Sequence, residues 1–316
     1  MTSPASSVLV IGECVADIVR TGDAPDRVHP GGSPANVAYG LARLGRQATL
    51  LTELGPDANG RLIRQHLESA GVLVRAAEVA RTPSAVVELD GQGRARYTFD
   101  IRWTLPPTEL AEPPAAIHLG SIAAVTEPGA GSVLALVERW RGQAQISYDP
   151  NVRPALMGDR AEAVRRVECW VALSDVVKAS DEDLAWLYPG ERPEAVAERW
   201  LALGPSVVAV TLGAEGAFAR TSEGGHVEAA AVPVPVADTV GAGDSFMAAF
   251  LHARATGADL ATCLTHAVTA AALTVARPGA NPPSAAELTT ALAEGPQSHS
   301  GGRRVDRLNR QAAQPR

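Results

Sequence analysis

The apolar positions of this chain fall into two alternating rhythms. Short unbroken apolar runs recur at Val8-Leu9-Val10-Ile11-Gly12, Ala48 to Thr52, Ala116-Ile117-His118-Leu119-Gly120, Gln145-Ile146-Ser147-Tyr148, Asp175 to Ser180 and Val207 to Leu212. Runs of this length predict strands of a parallel sheet buried on both faces. Between them lie stretches of helical period: Ser33 to Leu44, Asp57 to Ala70, Gly129 to Arg141, Asp159 to Val171, Asp181 to Tyr188 and Pro193 to Leu203. Ser33 suits an N-cap, Pro34 the first helical position and Gly45 the position just past the helix end. Strand–helix alternation predicts an α/β fold with right-handed crossovers.

The rhythm breaks once. Ser84 to Leu89 and Ala95 to Ile101 flank Asp90-Gly91-Gln92-Gly93, which is a hairpin signal. A small antiparallel insertion is expected there. With the segment after Glu13 it could form a lid over the sheet's edge. Trp103 at its end is open to three readings: core, a lid contact to ligand, or a dimer contact. Toward the C-terminus an extended, proline-punctuated run, Val232 to Val236, precedes a helix from Ser245 to Thr256 that Gly257 ends. An alanine-rich helix spans Ala261 to Val275, and Ser284 caps a short one to about Ala293. Residues 295–316 carry Gln, Ser, Gly, Arg and Pro without apolar period and read as a disordered tail.

Composition narrows the partners. The net charge of −7 over 316 residues argues against nucleic acid and against an anionic membrane surface. No window is apolar for the length a bilayer needs, and the N-terminus lacks the features of a signal peptide. Cys14, Cys169 and Cys263 show no metal spacing and read as reduced thiols, which points to the cytoplasm. Lys178 is the sole lysine, so any lysine clamp on phosphate must use it.

The candidate chemistry gathers at Asp238-Thr239-Val240-Gly241-Ala242-Gly243-Asp244-Ser245-Phe246. Small residues at a helix start leave its first N–H groups uncovered, and the positive end of the helix dipole coincides with them, which makes an anion site. A carboxylate beside that site is a poor ligand for an anion. Asp244 makes sense there as the group that takes a proton from a hydroxyl attacking a bound phosphoryl group. It makes equal sense as an acidic residue in a first turn.

Other candidates lie at strand ends, where ligands of open α/β sheets collect. Asp17 follows the first strand and is either a ligand contact or a loop carboxylate. Gly31-Gly32 lets backbone come close to something small, and Asn36 offers both donor and acceptor, to a polyol or to a simple cap. Arg153 projects from a loop stiffened by Pro150 and Pro154 and is suited to fork onto phosphate oxygens. Asp181, Glu182 and Asp183 either answer the helix dipole or touch a hydrated Mg²⁺. Thr211, Gly213 and Gly216 could admit phosphates; a plain hairpin turn would look the same. His118 reads as a strand histidine. The chain lacks both the P-loop and the Gly-x-Gly-x-x-Gly dinucleotide fingerprint after its first strand.

Gly31-Gly32 with Asn36, and Asp238 through Asp244, together resemble the two signatures of the PfkB (ribokinase-like) carbohydrate kinase family. Order, spacing and intervening strands agree over about residues 8–293. Ser147-Tyr148-Asp149-Pro150-Asn151-Val152-Arg153-Pro154 and Val177 to Asp183 further resemble the fructokinase and 2-keto-3-deoxygluconate kinase branch. The resemblance implies one kinase domain: a doubly wound, mostly parallel sheet with helices on both faces and a β lid from about 14–30 and 82–104. It implies phosphoryl transfer from Mg-ATP to a hydroxyl of a small sugar, fructose first and 2-keto-3-deoxygluconate second. In that picture Asp244 is the base, and the backbone of Gly241, Ala242 and Gly243 forms the anion hole, with Arg153 beside it. Asp17, Gly31, Gly32 and Asn36 hold the sugar, and Phe99 and Arg102 of the lid cover it. Lys178, Thr211, Gly213, Gly216, Gly243 and Asn281 serve the nucleotide. Asp183 meets Mg²⁺ through water, and Asp238 with the Val240 carbonyl matches a monovalent-cation site, usually K⁺.

Three departures stand out. Ser180-Asp181-Glu182-Asp183 replaces the Asn-x-x-Glu of many relatives, which shortens the reach toward magnesium. The loop from Pro278 to Ser284 carries an extra proline. The lid sequence Asp100-Ile101-Arg102-Trp103-Thr104 is not the commonest fructokinase form. An exposed lid edge could pair with a second copy as a homodimer. A sugar-binding regulator without catalysis is the alternative of another class.

Overall fold

A computed structural model describes residues 7–21, 25–89 and 95–294. The first third comprises β1 (Ser7–Ile11), β2 (Val15–Thr21), β3 (Arg27–Gly31), α1 (Ser33–Arg43), β4 (Gln47–Leu54), α2 (Ala58–Ser69), β5 (Leu73–Glu78), β6 (Ser84–Leu89) and β7 (Ala95–Asp100). The middle runs through β8 (Ala116–Gly120), α3 (Ser121–Val125), α4 (Gly129–Trp140), β9 (Gln145–Asp149), α5 (Pro154–Met157), α6 (Arg160–Leu173), β10 (Val176–Ser180), α7 (Asp181–Leu187), α8 (Pro193–Leu201), β11 (Val207–Thr211), β12 (Ala217–Thr221) and β13 (His226–Ala229). The helices α9 (Ala242–Arg254), α10 (Leu260–Val275) and α11 (Ala285–Glu294) close the fold.

Nine strands form the main sheet in the order β13-β12-β11-β10-β9-β8-β1-β4-β5. All neighbours are parallel except β11–β12 and β12–β13. Side chains alternate between the two faces of a strand. Ile117, Leu119, Ile146, Tyr148, Val177 and Ala179 pack against α4, α6 and α8, with Trp140, Trp170 and Trp200 in that layer. Val8, Val10, Val176 and Val207 pack on the other side against α1, α9 and α10. Helices on both faces make the sheet doubly wound. By parity, Ser147 and Lys178 belong to the α9 side, so the apolar runs hide a polar minority on one face.

Helix α9 lies wholly inside this second layer. Residues Ser245 to Leu251 are all buried, and Phe246 stacks on Phe250 at 6.2 Å. Burying each phenyl ring fully contributes about 1.5–3 kcal/mol. Helix α1 crosses α9 closely. A Cβ built on Gly40 would stand 2.8 Å from the Cβ of Ala248, so the contact exists only because Gly40 has none.

A second sheet has the order β3-β2-β6-β7. It is mixed rather than wholly antiparallel, because β2 runs parallel to β6. Register aligns His29, Asp17, Ala85 and Phe99 in one row across its four strands, hence on one face. The Glu53 carboxylate, buried at the end of β4, accepts hydrogen bonds from Thr104 Oγ1 (2.7 Å) and the Thr104 amide, tying the exit of this sheet to the main one.

Several boundaries differ from the sequence pattern. β5 and β13 carry no unbroken apolar run, because each is the edge strand of the main sheet and half-exposed. Helix α9 begins at Ala242, three residues before Ser245. Gly32, not Ser33, is the N-cap of α1. Trp103 is buried core, seated against Gly129. The expected hairpin turn at 90–93 and the tail at 295–316 lie outside the described residues. No helix among the described residues is long and apolar enough to cross a membrane.

Candidate active site

The carboxyl ends of β1, β9 and β10 open toward the first turns of α1 and α9, and the candidate residues converge there. Gly241 is the N-cap of α9 in the left-handed conformation (φ 76°), and no side chain caps the helix. The Ala242 amide turns back to the Thr239 carbonyl at 3.3 Å, and the positive end of the helix dipole lies at this point. Asp244 sits in that first turn.

The carboxylate of Asp244 is held from both sides by the first turn of α1. Ser33 Oγ donates to Oδ1 at 2.6 Å, and Asn36 Nδ2 donates to Oδ2 at 2.8 Å. Burial pushes the Asp244 carboxyl above the usual aspartate range, and the bonds from Ser33 and Asn36 pull it back. Asp149 adds to the rise and Lys178 opposes it.

Beneath the helix start lies a buried ion pair. Lys178 Nζ donates to Asp149 Oδ2 at 2.9 Å, and both side chains are almost wholly buried. Burial alone would lower the lysine's pKa; Asp149, joined by Asp183 and Asp244, outweighs it and holds the ammonium charged. His118 Nδ1 lies 3.0 Å from Ser147 Oγ, and burial, then Lys178, pushes the imidazole down to about 3, so it is neutral.

On the sugar side of the expectation, Asp17 lies on β2 with Phe99 on the same face. A Cβ on Gly31 would stand 2.0 Å from Asp17 Oδ2, so the missing side chain of Gly31 is what makes room for that carboxylate. Burial pushes the Asp17 carboxyl up to about 6, against the opposing charges of His29 and Arg153. The Arg153 charge is thus felt at Asp17. Arg153 Nη1 also donates to Asn151 Oδ1 at 2.8 Å within its own loop. Gly32 (φ 100°) lies against the Glu13 carbonyl, which a Cβ would meet at 2.4 Å. Arg102 is exposed just past β7.

On the nucleotide side the picture is looser. Thr211 ends β11, and Gly213 to Glu215 form a single 3-10 turn into β12. Gly216 is explained by packing, since a Cβ there would meet the Ala229 carbonyl at 2.1 Å. Asp238 accepts from the Val240 amide (3.0 Å) and the Gly279 amide (2.9 Å), which joins the loop before α9 to the loop holding Asn281.

The metal expectation meets a specific arrangement. Asp183 closes a capping box with Ser180, and its other oxygen accepts from the Val152 amide at 2.7 Å. Each oxygen keeps one lone-pair direction, which fits contact to a metal-bound water better than direct ligation. No cluster of three or more acidic, His or Cys side chains suited to a metal occurs among the described residues.

The pfkB family carbohydrate kinase model matches residues 5–287. The chain belongs to the pfkB family of carbohydrate kinases. It is therefore an ATP-dependent sugar phosphotransferase. This kinase is similar to a fructokinase of Klebsiella pneumoniae, with 34% identity over 257 residues, covering 77% of this chain and 83% of that one. In structure it resembles a double mutant of the Vibrio cholerae O395 fructokinase determined with fructose, ADP and potassium ion: TM-score 0.79, 28% identity, 92% of this chain and 99% of that one. It also resembles aminoimidazole riboside kinase from Salmonella enterica with its riboside and an ATP analogue: TM-score 0.78, 27% identity, 90% and 99% coverage.

Two residues of this candidate site escape sequence reasoning. Asp149 was visible only as part of a loop, although a lone buried lysine demands a carboxylate partner. Ser33 was read as a cap, although its spacing of three from Asn36 puts both on one helix face.

Proposed function

We propose that this kinase is a fructokinase in which Asp244 is the general base and the backbone of Gly241, Ala242 and Gly243 is the anion hole. The observation that carries the reading is the half-buried Asp244 carboxylate, fixed by Ser33 and Asn36 at the start of α9, which no side chain caps. Mg-ATP supplies the phosphoryl group. Asp244 takes the proton of the attacking sugar hydroxyl, and the N–H groups of the helix start hold the charge that develops on the transferred group. Lys178, behind Gly243, adds positive charge at the same place.

Asp17, Gly31, Gly32 and Asn36 bind the sugar, and Arg153 stands beside the anion hole. The second sheet, with Phe99 and Arg102, closes over it and keeps water from competing as acceptor. Thr211, Gly213, Gly216, Gly243 and Asn281 line the nucleotide. Asp183 orients a water on Mg²⁺, and Asp238 with the Val240 carbonyl holds a monovalent cation. The free edges β3 and β7 suit pairing with a second copy, which sedimentation tests, and the three unpaired cysteines suit the cytoplasm.

Fructose is favoured by the fructokinase relatives. The likeness to the riboside kinase keeps a ribosyl acceptor as the second reading. A panel of fructose, 2-keto-3-deoxygluconate, ribose and aminoimidazole riboside in a coupled ADP-release assay decides: the highest kcat/KM is expected with fructose, and a higher value with any other sugar replaces it. Asp244→Asn is expected to lose at least about 100-fold in kcat while still binding sugar.

A further inference from the structure

We propose that Ser33 is a positioning residue of this kinase, its hydroxyl fixing the carboxylate of Asp244 in the orientation that receives the substrate proton. The inference rests on the reading of Asp244 as base.

The geometry is a two-point clamp. A carboxylate turns about its Cβ–Cγ bond with a broad, twofold preference. One hydrogen bond fixes a single oxygen and leaves that rotation soft. Here Ser33 Oγ takes Oδ1 and Asn36 Nδ2 takes Oδ2, so the plane itself is fixed. Both donors come from one turn of α1, three residues apart, and both reach the first turn of α9.

The clamp is built into the helix crossing. Two turns along α1 from Ser33 is Gly40, and one turn along α9 from Asp244 is Ala248. These two meet where the helices cross, a Cβ on Gly40 coming to 2.8 Å from that of Ala248. The contact sets the register in which Ser33 and Asn36 face Asp244. Ser33 is itself buried at 8% exposure, so its hydroxyl has little water to turn to. The cap of α1 does not use it: Gly32 fills that position, with no side-chain cap bond. Among the described residues the hydroxyl's hydrogen-bond partner is the Asp244 carboxylate.

Electrostatics give the clamp a second effect. The charged groups acting on Asp244 are Asp149, which disfavours ionisation, and Lys178, which favours it. Burial and Asp149 raise the carboxyl, and the two donors together with Lys178 pull it back toward the ionised form that accepts a proton.

The test is the pH dependence of kcat/KM for wild type, Ser33→Ala, Ser33→Cys and Asp244→Asn, with the panel sugar turned over fastest. Ser33→Ala removes one oxygen and is expected to keep the fold, checked by its thermal midpoint. Its acid limb is expected to move to higher pH by about half a unit or more, with kcat down several-fold at neutral pH and KM for sugar changed much less. Ser33→Cys, of similar size with a weak donor, is expected to fall between. A Ser33→Ala profile that superposes on wild type overturns the inference and leaves the base in place. So does a uniform rate loss with no shift of the limb. Near wild-type turnover by Asp244→Asn overturns the base assignment, and the inference with it; so does a wild-type chain inert with every sugar.

Discussion

The ammonium of Lys178 lies directly under Gly243, so close that a Cβ on that glycine would stand 2.9 Å from Nζ. The relationship explains why the sequence is small at this point beyond the needs of a helix start. A buried positive charge approaches the backbone of the candidate anion hole from behind, and a methyl group would push it away. Gly243→Ala is expected to lower kcat at least about tenfold while leaving sugar KM nearly unchanged, because the charge serves the transferring group. Steady-state kinetics with both substrates varied would show it. A Gly243→Ala enzyme with unaltered kcat would mean that the lysine yields freely.

Lys178 also answers Asp149, and both side chains are buried. Lys178→Met leaves a buried carboxylate without its partner and is expected to destabilise the protein by roughly 3–5 kcal/mol. The double change Lys178→Met with Asp149→Leu removes both charges and is expected to recover much of that loss, since a buried pair is worth little net when replaced by apolar groups. Urea unfolding of the two variants and wild type gives the comparison. If the double variant is less stable than the single one, the pair contributes more than the cost of burying it.

Gly40 packs against Ala248 where α1 crosses α9. Gly40→Ala brings two methyl carbons to 2.8 Å, inside any real contact, with both backbones packed in the core. Overpacking of this kind costs typically 1–3 kcal/mol. Activity is expected to fall by a larger factor than stability alone explains, because Ser33 and Asn36 would be carried away from Asp244. Residual kcat measured well below the thermal midpoint separates the two effects. Wild-type kcat in a destabilised Gly40→Ala would show that the crossing does not govern the site.

How much of this was legible in the chain depends on burial. Central strands such as Val207–Thr211 and Val176–Ser180 announce themselves as apolar runs because both faces are covered. Edge strands such as β5 do not, since one side meets solvent and Arg75 interrupts the pattern. The helix start at Gly241 was visible because glycine, small residues and a carboxylate leave few structural alternatives. The partner of that carboxylate was not. Ser33 and Asp244 are 211 positions apart, and only the crossing of α1 and α9 brings them to 2.6 Å. The same holds for Asp17, whose row with Ala85 and Phe99 depends on β2 pairing parallel with a strand far along the chain.

Asp17 supplies a prediction whose sign can be worked through. Its carboxyl is raised from 3.8 to about 6 in the folded protein, chiefly by burial. Between those values the folded state binds the proton more tightly than the unfolded state, so stability falls as pH rises through that window. Above about pH 6 the ionised group costs the fold up to about 3 kcal/mol, the upper bound set by the shift. Asp17→Asn is therefore expected to raise the thermal midpoint at pH 7.5 and to change it little at pH 4. Sugar binding should run the other way. A sugar hydroxyl donating to the ionised carboxylate loses a charge-assisted bond worth about 1.5–3 kcal/mol when Asp17 protonates. The KM for the preferred sugar is expected to be flat above about pH 7 and to rise roughly tenfold well below pH 6, while Asp17→Asn gives a high and pH-independent KM. Thermal melts and KM measured across pH 4.5–8 check both halves. A midpoint that drops in Asp17→Asn at pH 7.5 would show that the ionised carboxylate stabilises the second sheet instead of straining it.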